Sequence, residues 1–124
     1  MKALIDTCVS LDFIQGREPF FDDAKSVFEA IKDKKIEGFV TVKSLMDIHY
    51  VIKHCLHDET PVRSVLQDLL TLLTLVDSKS NDAQKALTSS ITDYEDALMC
   101  QTALSEGMNC VVTVITPADL ISIL

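Results

Sequence analysis

Tryptophan is absent from this chain, and glycine and proline occur only three times each. Three glycines are too few for a loop that wraps phosphates in bare backbone. Neither GxGxxG nor a Walker A pattern occurs, which excludes nucleotide binding through such a loop. No CxxC pair joins the four cysteines at positions 8, 55, 100 and 110. They read as reduced and mostly structural, with Cys8 as a small buried residue, and not as a disulfide framework. His49, His54, Cys55 and His57 lie close in sequence, but HCLH lacks the matching second half of a zinc site, and ordinary helix positions are the simpler reading. No run reaches the roughly 18 uncharged apolar residues of a membrane span, and the first apolar run is too short, and interrupted by Asp6, to act as a signal peptide. The expectation is a cytoplasmic protein with no membrane contact.

Positive charge is also scarce. Eleven Lys and Arg stand against 19 Asp and Glu, for a formal net charge of -8. Such a balance excludes a non-specific nucleic-acid binder, which meets phosphates with clustered basic side chains. It does not exclude an enzyme that meets phosphates through metal ions, since a carboxylate cluster is acidic until cations fill it. What is present is apolar bulk: 48% of the 124 residues are hydrophobic, enough for a real core in one domain spanning 1–124.

Periodicity then organises the chain. KALID reads as a buried strand over residues 2–6, FVTV as a second over 39–42, LTLVD as a short edge strand near 74–76, and CVVTVI as a last one over 110–115. Between them lie amphipathic patterns. SLDFIQ is stopped by Gly16, and FFDDAKSVFEAIKDKK presents Phe20, Ala24, Val27, Phe28 and Ile31 on one face. SLMDIHYVIKHCL carries Ser44 at its cap, and TPVRSVLQDLLTLL starts with Thr60 at the cap and Pro61 first in the helix. NDAQKALTS is weak, and ITDYEDALMCQTALSEG is strong and ended by Gly107. Strands alternating with helices predict a three-layer α/β domain with a parallel sheet.

In such sheets ligands bind beyond the carboxyl ends of the strands. Asp6 ends the first strand there, Asp47 lies one turn into the helix after the second, and Asp93 and Asp96 are three apart at the start of the strongest helix. Several carboxylates without an activated Ser, Cys or Lys suit Mg²⁺ or Mn²⁺, which prefer oxygen ligands and promote phosphodiester hydrolysis by activating water. Each acid has a structural alternative. Asp47 completes an S-x-x-D cap with Ser44, and Asp93 and Asp96 are favourable at any helix N-terminus. Thr92 with Glu95 forms a capping box. Asp6 is the hardest to explain this way, because a buried carboxylate without a partner is costly. Thr7 suits either a hydroxyl beside the acids or a helix cap.

Taken together, ALIDTCVSLDFI, GREPFFDDAKSVFEAI, IEGFVTVKSLMDIHYVI and ITDYEDALMCQTALSEGMNCVVT resemble the PIN domain family, which includes the VapC-like toxin ribonucleases, over nearly the whole chain. The resemblance implies a three-layer α/β/α domain around a central, mostly parallel sheet of four strands. It implies an RNA substrate, a small antitoxin partner and a homodimer. Carried onto this sequence, the metal acids are Asp6, Asp47 and Asp96, Asp93 joins them in catalysis, and Thr7 supports them. Two departures stand out. The family commonly has Asn where this chain has Cys8, and its polar R-N-x-x-D-F stretch after VVT is missing. Asp119 belongs to the final helix and is not a substitute for the acid of that stretch. Val112 and Ile115 are too close in sequence for a crossover, so one merged strand over 110–115 replaces two, leaving an edge for the last helix or a second copy to cover. The leading function is therefore an Mg²⁺- or Mn²⁺-dependent endoribonuclease with a reduced site. The alternative is a catalytically degenerate PIN domain that binds or regulates.

Overall fold

The computed structural model describes residues 1–113. Ten elements follow in the order β1 (Lys2–Ile5), α1 (Thr7–Gln15), α2 (Phe21–Lys32), β2 (Glu37–Thr41), α3 (Val42–Leu56), α4 (Glu59–Leu72), β3 (Thr74–Val76), α5 (Ser80–Leu87), α6 (Tyr94–Ser105) and β4 (Cys110–Val112). The strands form one sheet in the order β3-β2-β1-β4, with every neighbouring pair parallel. The α/β architecture expected from the alternating pattern is the one observed. The expected merged strand is seen only as Cys110–Val112, and its continuation, the last helix and Asp119 lie outside the described residues.

Alternation along the strands sorts the core into two layers. Ala3, Ile5, Val40 and Val112 point to one face and pack with residues of α1, α2, α3 and α4, including Val9, Val27, Ile48 and Val62. Leu4 and Phe39 point to the other face and meet Met99 and Ala103 of α6, together with Met108. Gly38 lets the first layer close tightly. A Cβ there would stand 2.6 Å from Leu73 Cδ2 and 2.8 Å from Ile31 Cδ1, well inside contact distance. β2 therefore lies against α2 and the end of α4 at backbone range.

Helix starts differ from the sequence reading in a consistent way. The cap of α3 is Thr41, whose Oγ1 accepts from the Ser44 N–H; Ser44 is the donor and lies inside the helix. The cap of α4 is Asp58, two residues before the expected cap at Thr60. In each case a residue closer to the strand or turn satisfies the exposed N–H groups first, and the helix takes the longer run. Gly16 does end α1, in the left-handed conformation at φ 62°.

α3 and α4 are tied by Glu59, which accepts from His49 Nε2 at 2.9 Å, Lys53 Nζ at 2.8 Å and Arg63 Nε at 3.2 Å. His49 is thus placed by a carboxylate, and among the described residues no group of three His, Cys, Asp or Glu is arranged to hold a metal ion. The donors, Lys53 foremost, pull the Glu59 carboxyl from 4.5 down to about 2. A lowered folded-state value stabilises above the unfolded value and is lost as pH falls through the folded one. Glu59→Gln should therefore lower the melting temperature at pH 7, and the difference from the native chain should shrink between about pH 4.5 and pH 2. Thermal unfolding followed by circular dichroism at both ends of that range measures it.

Candidate functional site

After β1 the chain moves to β2 on one side, whereas β4 pairs with β1 on the other. The carboxyl end of β1 is thus the point where the strand order reverses, and a crevice opens there in sheets of this kind. Asp6 stands at that point. It is the N-cap of α1, and its Oδ1 accepts from the Thr7 N–H at 2.7 Å. Asp6 therefore caps a helix and at the same time feels the charges of Asp96 and Glu95.

Two other helices begin nearby. α3 starts directly from the end of β2 and carries Lys43 and Asp47 in its first turns, while α6 carries Glu95 and Asp96 in its first turn. Lys43 Nζ donates to Asp47 Oδ2 and to Glu95 Oε1, both at 2.6 Å. This ammonium joins α3 to α6 across the crevice. Asp6 feels the charges of Asp96 and Glu95, which disfavour its ionisation, and of Lys43, which favours it. Asp47, Glu95 and Asp6 therefore all interact with the Lys43 ammonium, and Asp96 joins them through its effect on Asp6. Partial positive charge at the helix N-termini offsets part of the excess.

Burial is the largest influence on Asp6 and pushes its carboxyl above 3.8; the Thr7 N–H works against it, and Asp96 and Glu95 add to it. The ionised form of Asp6 is thus under-compensated by protein groups alone. Thr7 Oγ1, beside it in sequence, is buried and finds no hydrogen-bond partner among the described residues. Asp93 lies differently. Its Oδ1 accepts from the Asp96 N–H at 3.0 Å, making it the cap of α6. The expected Thr92–Glu95 capping box is not the arrangement observed, because Asp93 takes the cap and leaves Glu95 free to reach Lys43.

The carboxylate oxygens and the orphaned hydroxyl are the donor types that suit a hard cation. Mg²⁺ commonly binds through one or two carboxylates together with substrate phosphates and keeps several waters, so it does not require a third convergent acid. Cys8, expected to be buried, is exposed on the first turn of α1. Partial desolvation of the thiol, followed by the charges of Asp6 and Asp12, still pushes it up, which makes it a poor nucleophile. Glu95 and the bridging role of Lys43 are the features that sequence reasoning missed. The i,i+4 spacing of Lys43 and Asp47 signals their pair, but nothing local signals Glu95, 52 residues away.

No helix among the described residues is long and apolar enough to cross a membrane. Among solved structures, the chain is similar to VapBC2 from Rickettsia felis bound to a DNA fragment from their promoter, with 15% identity and a TM-score of 0.63 over 90% of this chain and 86% of that one. It is similar to a toxin-antitoxin complex from Klebsiella pneumoniae, with 19% identity and a TM-score of 0.63 over 90% and 97%. A third likeness is to VapC20 of Mycobacterium tuberculosis, a sarcin-ricin loop cleaving toxin, with 11% identity and a TM-score of 0.65 over 88% and 86%. At these identities the likeness is one of fold. No curated protein sequence matches the chain. The PIN domain, as a family, matches residues 2–114. That match takes in all four strands, the three helix N-termini around the crevice and the acids that stand on them, and by it this chain belongs to the PIN domain family.

Proposed function

We propose that this chain is a ribonuclease of the VapC-like toxin type, dependent on Mg²⁺ or Mn²⁺. The observation that carries the reading is Asp6. It is a half-buried carboxylate at the reversal point of the sheet, disfavoured as an anion by Asp96 and Glu95 and stabilised by too little of the protein. A carboxylate disfavoured in this way supports the reading that a bound cation completes the site. Asp6 and Asp96 would hold the ion, and Asp47 would join them directly or through water. When bound, the ion makes a water more acidic and offsets charge on the phosphoryl oxygens.

The chain's own residues do the rest. The Thr7 N–H fixes the Asp6 carboxylate through Oδ1, leaving Oδ2 for the crevice. The Thr7 hydroxyl is a free donor next to it. Asp93 sets the first turn of α6, and with it the direction of Asp96, by taking the Asp96 N–H. Asp93 therefore acts in this reading as a positioning residue for Asp96. RNA reaches an acidic protein through cations at the cleft and not through a basic surface, in keeping with the net charge of -8.

A small antitoxin and a second copy of the chain are the proposed protein partners. Support comes from α3, where Val42, Met46 and Tyr50 fall on one helical stripe and are exposed, Met46 at 59% and Tyr50 at 66%. A degenerate PIN domain without catalysis remains the second reading. The observation that favours it is Lys43, whose ammonium already engages two of the acids.

Incubation of the chain with mixed RNA and Mn²⁺ should give cleavage that a chelator stops and that excess Mn²⁺ restores. Intact RNA under all conditions would favour the binding protein.

A further inference from the structure

Lys43 is the second residue of α3, and its side chain is more than half exposed. Its Nζ lies 2.6 Å from Asp47 Oδ2 on its own helix and 2.6 Å from Glu95 Oε1 on α6. The same ammonium is the cation that acts on Asp6. A unit positive charge thus stands on Asp47, one of the acids proposed for the ion, and on Glu95, the neighbour of Asp96. Two cations cannot share these oxygens without strong repulsion. The lysine stem carries four flexible carbons and is largely in solvent, so the ammonium can leave the cluster without disturbing the core.

We propose that Lys43 is the resident counter-ion of the acid cluster: it holds Asp47 and Glu95 while no divalent ion is bound, and divalent binding displaces it. The inference rests on the metal-dependent reading above and adds a threshold to it. The site stays closed by its own lysine at low free metal, α3 and α6 stay joined across the crevice, and occupancy by the metal frees Asp47 for the ion. Glu95 then becomes a docking point for the ammonium and not a ligand of choice.

The test is titration calorimetry of the full chain with MnCl₂ in metal-stripped buffer, comparing native protein, Lys43→Met and Lys43→Arg. Removing one positive charge beside a divalent ion should tighten Mn²⁺ binding roughly tenfold in Lys43→Met, while Lys43→Arg, which keeps the charge, should stay near native. Circular dichroism and thermal unfolding in chelator establish that each variant is folded, and Lys43→Gln serves if Lys43→Met is not. A second measurement follows the Lys43 Cε resonance during Mg²⁺ titration of the native chain, and displacement should move it. Native and Lys43→Met proteins with equal Mn²⁺ affinity, together with an unmoved Cε resonance, overturn the proposal and leave the metal site standing. Absence of Mn²⁺ binding in both proteins overturns the proposal and the metal-dependent reading together.

Discussion

Asp6→Asn is expected to remove RNA cleavage while making the protein harder to unfold. The loss should be about 10²–10³-fold in rate, since the substitution takes away a charged ligand at the centre of the site and exceeds the effect of disturbing its supports. Stability should move the other way. Burial, Asp96 and Glu95 raise the Asp6 carboxyl above 3.8, so its ionised form weakens the folded state. The sign follows from proton counting. With the folded-state value raised, the native chain binds more protons than the unfolded one between the two values, and stability falls as pH rises through that window. Above it the penalty is constant. Asn has no charge to bury, and it caps a helix about as well as Asp, so the Thr7 N–H keeps an acceptor. At pH 7 the melting temperature of Asp6→Asn should exceed that of the native chain in chelator, and the gap should close as pH drops below 3.8. Excess Mn²⁺ should raise the native melting temperature and leave Asp6→Asn nearly unmoved. Asp96→Asn should lose cleavage to a similar degree. Equal cleavage by all three proteins would place the activity in a contaminant and reject the site. An Asp6→Asn protein less stable than native at pH 7 would reject the electrostatic account of Asp6.

Leu4→Ala should have the largest effect on the fold. Leu4 is fully buried in the middle of the central strand, and it is the residue of β1 that faces α6, against Met99 and Ala103. Truncation of such a leucine costs about 2–5 kcal/mol, a large share of the roughly 5–15 kcal/mol that holds a domain together. The side on which the cavity opens also matters. The other layer of the core draws on α1, α2, α3 and α4, whereas the layer around Leu4 is the small cluster of Phe39, Met99, Ala103 and Met108. Asp96 stands one turn before Met99 and Cys100 on the same helix, so loosening α6 displaces the carboxylate from Asp6. Urea unfolding should show the lost stability, and cleavage should fall at temperatures where the variant is still folded. A variant that keeps native cleavage while losing stability would show that α6 is held in place by its contacts with α5 and not by the sheet.

Much of this architecture is legible in the sequence. The strands at KALI and FVT, the helix over FDDAKSVFEAIK and the Gly16 stop come from patterns local to the chain: alternation, a 3.6-residue stripe and a residue that tolerates positive φ. Asp6 stood out because a carboxylate at the end of a buried run needs an explanation wherever it occurs. Such signals survive because each depends on neighbours within a turn or two. Helix starts were less secure. Ser44 and Thr60 have the right side chains for caps, but Thr41 and Asp58 lie earlier and took the role, a competition that propensity alone does not resolve.

By itself, then, the order of residues settled which segments became strands and helices and which acids stood at their ends, because those choices are made against solvent and near neighbours. Only the folded chain decided who meets whom at the crevice. It turned Asp93 into a cap, drew Glu95 out of an expected capping box, and set the Lys43 ammonium between helices whose contacting residues are 52 positions apart. Charge acts through space, with no memory of sequence distance, so a cluster built from three helix N-termini exists only once the parallel sheet has brought those ends together.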